Sequence, residues 1–259
     1  MLLRVAIAAA ALHVYLAARG PSIAAAFPMA GAFFGLAMLN NVIPFSLMFL
    51  GQTELGAGLA SVLNATTPFW TVILANAFTD DEKLTSRKLA GIGLGIAGTA
   101  VMIGPGLLAG LGGPVWAKFA LVGTAMSYGC AAIFARRFRA LPPPVVATGQ
   151  LTASTIIMVP VVLVTGGLGM LGDVSIDAWA SVIALALVST AIAYILFFSL
   201  IASAGATNAS LVTLIVPVFA ILLGALFLSE RLAFFELAGM ALIGSGLVVI
   251  DGRLFRLRA

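Results

Sequence analysis

The sequence predicts an all-α membrane protein of about nine transmembrane helices, arranged as two inverted-topology repeats. Three observations predict it. Charged residues make up 8% of the 259 and hydrophobic residues 62%, against about 25% charged in an ordinary soluble domain. Apolar stretches recur along the chain, most near the roughly 20 residues a helix needs to cross a bilayer. A proline-centred stretch, Gly56–Phe78, returns as Gly205–Glu230 with its prolines, Pro68 and Pro217, 149 residues apart.

The apolar spans fall at about Leu2–Ala18, Phe27–Leu50, Gly56–Phe78, Leu89–Leu108, Trp116–Ala135, Pro143–Val164, Ala178–Ile201, Ala206–Leu228 and Phe234–Ile250. Many are dense in alanine and glycine, which let helix backbones approach closely in lipid. With Arg19 on the cytoplasmic side, the cytoplasmic loops hold Arg19, Lys83, Arg87, Lys88, Arg136, Arg137, Arg139, Arg253, Arg256 and Arg258. The outer set is Arg4, Lys118 and Arg231. Ten against three is a strong positive-inside bias, so the net charge of +4 reads as membrane orientation, not nucleic-acid binding. It puts the C-terminus in the cytoplasm and the N-terminus outside.

The repeat sets the architecture. Gly56-Ala57 matches Gly205-Ala206 and Ala60-Ser61 matches Ala209-Ser210 at offset 149. Glu82-Lys83-Leu84 meets Glu230-Arg231-Leu232, and Leu89-Ala90-Gly91 meets Leu237-Ala238-Gly239, at offset 148. Residues 1–111 form the first repeat and 112–259 the second. The fifth span has no upstream partner, so the chain reads as a five-plus-five design without its first helix. A start placed too far downstream, a true nine-helix protein and a cleaved leader, with Arg4 and the apolar run resembling its charged and hydrophobic regions, are the three accounts of this. A five-helix repeat enters the membrane from the opposite side the second time, the plan by which many secondary transporters alternate access to a midplane site.

Several motifs have two readings. Gly93-Leu94-Gly95-Ile96-Ala97-Gly98 fits a dinucleotide fingerprint but lies inside an apolar helix without the strand that motif needs. Helix packing through Gly91 and Gly95, with Ala241 and Ser245 as the matching small face, is the expected role. Pro68 and Pro217 would kink their helices and free the carbonyls of Asn64 and Thr213. Those carbonyls either line a path or are capped by neighbouring hydroxyls, with Thr66 and Thr67 crowding the first bend.

Polar residues within the spans are candidates for substrate contact: Asn40, Asn41, Asn64, Thr67, Tyr128, Ser189, Thr190, Tyr194 and Thr213, with Phe69 and Trp70 as stacking surfaces. Together they suggest a neutral, hydrogen-bonding central cavity; singly, each serves equally as glue between helices. His13 is the one histidine, either a proton carrier or a structural hydrogen-bonding group. Arg4 either snorkels to the outer interface or meets an anionic substrate group. All nine acids lie at span ends, and no His/Cys/Asp/Glu cluster has metal-ligand spacing. Neither a metal nor any other cofactor is expected, and no serine–histidine–acid set suggests an enzyme. Cys130 is alone, and the Asn64-Ala65-Thr66 sequon lies within a span.

PFWTVILANAFTDDEKLTSRKLAGIGLGIAG and PVFAILLGALFLSERLAFFELAGMALIGSG, from Pro68 and Pro217, together resemble the EamA family of the drug/metabolite transporter superfamily. The second copy, with Leu228-Ser229-Glu230-Arg231-Leu232, matches better. The resemblance covers the chain and implies a ten-helix inner-membrane transporter, most often an exporter of amino acids or related metabolites. The expected partners are a small-molecule substrate and the bilayer, with a homodimer one allowed arrangement. A membrane scaffold that moves nothing is the other function class.

Overall fold

The computed structural model describes residues 1–104, 113–164, 175–227 and 233–251, and among them all regular structure is helical. In chain order these are α1 (Leu2–Arg19), α2 (Ile23–Gln52), α3 (Ala57–Phe78), α4 (Ser86–Ile103), α5 (Val115–Phe138), α6 (Pro143–Val164), α7 (Ile176–Ser210), α8 (Val212–Phe227) and α9 (Phe234–Asp251). Of these, α2, α3, α5, α6, α7 and α9 are long and apolar enough to cross a bilayer, while α1 and α8 hold shorter apolar runs. The chain is an all-α, multi-pass membrane protein.

Local chemistry sets the helix ends. The Thr85 hydroxyl accepts from the Lys88 N–H, which starts α4 at Ser86 rather than Leu89. Ser175 does the same for α7 by accepting from the Ala178 N–H. α4 ends at Gly104, whose φ of 60° suits a residue without a side chain. The expected extension of that span to Leu108, the Leu228–Leu232 motif, Asp173 and the terminal arginines Arg253, Arg256 and Arg258 lie outside the described residues.

The helices gather into two compact units. Unit 1 holds residues 1–45 and 134–205; unit 2 holds residues 46–133 and 206–259. Each draws chain from both halves of the sequence repeat, and each shows the repeat as a pairing of equivalent helices. In unit 1, α1 packs on α6. In unit 2, α4 packs on α9 along most of its length.

The α4–α9 contact also gives the direction of the repeat. A Cβ added to Gly98 would lie 2.8 Å from the Gly239 carbonyl, and one added to Gly246 would lie 2.5 Å from the Gly91 carbonyl. Gly239 is the counterpart of Gly91 and Gly246 of Gly98, both at offset 148. Each glycine therefore meets the counterpart of the other, which requires the equivalent helices to run antiparallel. This is the inverted topology seen in one contact. The small face on α9 is corrected by it: Ala241 and Ser245 are exposed, and Gly239, Ile243 and Gly246 are buried. Gly93 and Ala97, their counterparts on α4, are exposed too.

The proline helices also differ from expectation. α3 is interrupted at Ala65–Thr66, so Pro68 sits in the first turn of a new segment, where its missing N–H costs nothing. Thr66 and Thr67 hydroxyls donate to the carbonyls of Leu63 (2.6 Å) and Asn64 (2.7 Å), so the Asn64 carbonyl is capped. In the second copy the break comes at Leu211, six residues before Pro217, which lies inside α8. The Thr213 hydroxyl donates to the Ser210 carbonyl at 2.9 Å.

Candidate functional site

Unit 1 contains two π-turns, at Met38–Val42 in α2 and Leu187–Ile192 in α7. They start 149 residues apart (187 − 38), the offset of the repeat, so the same irregularity occurs at equivalent places in both halves. The causes differ locally. In α2, Pro44 has no N–H to return to the Asn40 carbonyl, and the Ile43 N–H bonds five residues back, to Met38. In α7 the Thr190 hydroxyl reaches back five residues to the Leu185 carbonyl at 2.9 Å. Single π-turns within α-helices cluster at functional sites.

The widened turns carry the polar residues. The Asn40 side-chain amide donates to Gln150 Oε1 on α6 at 3.2 Å, and the Asn41 amide donates to Ser154 Oγ at 2.6 Å. The Tyr194 hydroxyl on α7 donates to Asn41 Oδ1. Ser154 passes its own proton to the Gln150 carbonyl at 2.9 Å. Asn40, Asn41, Gln150 and Ser154 are all buried. One donor is left over: Gln150 Nε2 is buried without a hydrogen-bond partner among the described residues. Turning both amides over keeps the Asn40–Gln150 bond and leaves the Gln150 amide oxygen in the buried, unpaired position.

Beside this network, Arg4 of α1 donates from Nε to Thr190 Oγ1 at 2.6 Å and from Nη2 to the Ser189 carbonyl at 3.1 Å. Its guanidinium carbon lies 5.6 Å from the centre of the Phe45 ring. Ser189 and Thr190 lie near the middle of α7, so the Arg4 side chain is held against the middle of that helix. Ser189 contributes its carbonyl, and its side chain is exposed. His13 Nε2 and Thr152 Oγ1 lie 2.9 Å apart at the edge of a cavity of about 250 Å³ lined also by Phe27, Phe33, Phe34 and Ile156. That hollow is almost wholly apolar.

Unit 2 holds the remaining candidates. Asn64 Oδ1 is buried with no partner among the described residues. Thr67 is buried and its proton is committed to Asn64. Trp70 Nε1 donates to Thr66 Oγ1 at 3.3 Å, and its ring meets Phe69 edge-on with centroids 5.5 Å apart. Tyr128 and Thr213 are half-buried. The sequence reading gathered Asn40, Tyr194, Asn64, Tyr128 and Thr213 in one cavity; the first two belong to unit 1 and the others to unit 2.

Sequence reasoning missed Gln150, Thr152 and Ser154, all on α6. Their signal was present, since an amide and a hydroxyl four apart share one face of an apolar helix. Gln150 pairs at offset 149 with Met1, however, so the comparison of repeats gave it no polar counterpart. It also missed the role of Glu82. That carboxylate accepts from the backbone N–H groups of Ala206 (2.8 Å) and Thr207 (2.7 Å), just after Gly205 with its φ of 85°. It caps the helical segment at Ala206.

Paired, antiparallel repeats with π-turns holding buried polar groups within the spans define the class of helical membrane transporters built on an inverted repeat. Residues 1–104 and 115–251 match the model of the EamA-like transporter family, and the chain belongs to that family. A protein named "Probable amino-acid metabolite efflux pump" from Escherichia coli (strain K12) is 30% identical over 83% of this chain and 74% of its own length. One of the same name from Salmonella typhimurium is also 30% identical, over 74% of this chain and 67% of its own length. "Uncharacterized transporter YvbV" of Bacillus subtilis is 26% identical over 83% and 70% respectively. A solved crystal structure superposes on all of this chain and 88% of its own with a TM-score of 0.79 at 21% identity, a likeness of fold.

Proposed function

We propose that this membrane transporter exports small polar metabolites such as amino acids, by alternating access and without ATP. The observation that supports this best is the buried set Asn40, Asn41, Gln150, Ser154 and Tyr194, with one amide end left unpaired inside an apolar protein. An unpaired amide group in a dry interior is costly and explained by a ligand or a water that comes and goes. The inverted repeat supports alternating access. The efflux names of two relatives support the direction and the metabolite class. Asn64, Thr67, Trp70, Tyr128, Ser189 and Thr213 are proposed as further substrate contacts, and His13 as a proton-carrying one. The cytoplasmic (inner) membrane with a cytoplasmic C-terminus, and division of the repeats at residues 111 and 112, complete the reading.

The test is export and counterflow of a labelled amino-acid panel in proteoliposomes, with Asn41→Ala and Tyr194→Phe alongside the natural chain. The proposal expects flux of at least one compound, reduced in both variants while the protein still inserts and unfolds cooperatively. A natural chain that moves no compound, in a preparation with intact fold, favours the scaffold reading, in which these polar groups only hold helices together.

A further inference from the structure

The middle of unit 1 is rich in hydrogen-bond donors and poor in negative charge. Arg4 carries a full positive charge and five N–H donors. Among the described residues its partners are one hydroxyl, one backbone carbonyl and one ring, and none is a carboxylate. Gln150 adds a fully buried amide end with no partner among the described residues. Within the same network, Tyr194 lies four residues beyond Thr190 on α7 and is held by Asn41.

Charge inside a membrane is expensive unless it is paired, and an intramembrane arginine marks an ion or substrate path by default. Dipoles and a ring face soften the cost without cancelling the charge. The π-turn contributes directly: the Ser189 carbonyl takes an N–H of Arg4, and the hydroxyl that accepts from Nε is itself anchored to Leu185. The guanidinium is thereby fixed in orientation and half-buried, with no anion among its partners in the described residues.

We infer that Arg4 is the counter-charge to a carboxylate on the transported metabolite. A guanidinium fork matches the two oxygens of a carboxylate better than a single ammonium does. Compounds bearing only an amine, and organic cations, are disfavoured by the same charge. The inference rests on the transport reading above and narrows it to one chemical class. A phospholipid phosphate offers the same oxyanion chemistry, so the experiment separates the two sources.

The full chain and its Arg4→Gln and Arg4→Lys variants are reconstituted in phosphatidylcholine, and flux is compared for labelled leucine, threonine and glutamine and for their carboxamides. The same compounds are then used in thermal unfolding of the protein in a neutral, phospholipid-free detergent. The expected result is that acids move and stabilise while amides do so weakly. Arg4→Gln should lower acid flux about ten- to a hundredfold, the scale of one charge-assisted hydrogen-bonded contact, with amide flux unchanged and Arg4→Lys between. Equal loss of acid and amide flux in Arg4→Gln would make Arg4 structural and overturn the inference. If Arg4→Gln fails to fold, the natural chain decides: acids and amides moved equally well sink the idea. Amides moved without acids leave the transport reading standing and the inference refuted. Acids that stabilise in detergent without crossing in vesicles support the anion site and refute transport. Acids that neither stabilise nor cross refute the site, and leave lipid phosphate as the partner of Arg4.

Discussion

At the scale of single residues, the cost of an unmatched hydrogen-bonding group inside a membrane protein decides what each polar side chain can be doing. Most hydroxyls within the spans donate to a carbonyl three or four residues back, as Thr71, Thr99, Thr148 and Ser199 do. These need no ligand. The Asn41–Ser154–Tyr194 set is different because its bonds run between helices far apart in sequence. Tyr194→Phe removes one such bond and should lower stability by about 1 kcal/mol, measured as a drop in thermal midpoint. His13→Gln should leave stability within about 0.5 kcal/mol, since the ring is exposed and a glutamine reaches Thr152 equally well. Export lost in this stable variant would support His13 as the proton carrier, and unchanged export would remove it from that role.

At the scale of elements, backbone ends and close approaches set the tolerances. Glu82 binds two N–H groups at the Ala206 end, so Glu82→Ala should cost about 1–2 kcal/mol, as losses of helix caps do. Glu82→Gln keeps an acceptor and should lose less. On the α4–α9 seam, Gly98→Leu places a side chain where a Cβ already falls 2.8 Å from backbone on the facing helix. It should destabilise by about 3 kcal/mol or more, beyond ordinary overpacking, because the obstacle is backbone. Gly93→Leu, open on its outer side, should be near neutral. Thermal unfolding of the two variants reads the difference directly. If both substitutions cost the same, the glycine seam is misplaced.

At the scale of the molecule, much of the architecture was legible because membrane spans announce themselves by length and composition, and the repeat by matching dipeptides. The glycine seam was legible too on α4, where Gly91 and Gly95 share a face. Its partner on α9 was not, because choosing between the Gly239/Gly246 stripe and the Ala241/Ser245 stripe needs the rotation of a helix, here with Ile243 at the middle of the true face. The π-turns left no composition signal, and Pro44 alone did not reveal one. The network they hold pairs Asn40 with a residue 110 positions away, and spacing along the chain says nothing about such a contact. Pro68 misled because an interruption two residues earlier turned a kinking proline into a starting one. Orientation is testable at this scale: a protease-cleavable tag after Ala259 should be cut only from the cytoplasmic face, and cleavage from outside would invert the topology.

The most direct measurement on the central claim, that the unit 1 network reads substrate and is not merely glue, is the double variant Asn40→Leu with Gln150→Leu. Replacing both partners of a buried hydrogen bond with apolar groups is nearly neutral or stabilising, and here it also removes an unpaired amide. Thermal midpoint and amino-acid flux should be recorded on the same preparation. The account predicts a midpoint at or above that of the natural chain together with a flux lowered about tenfold or more. A stable double variant that transports as well as the natural chain would contradict it.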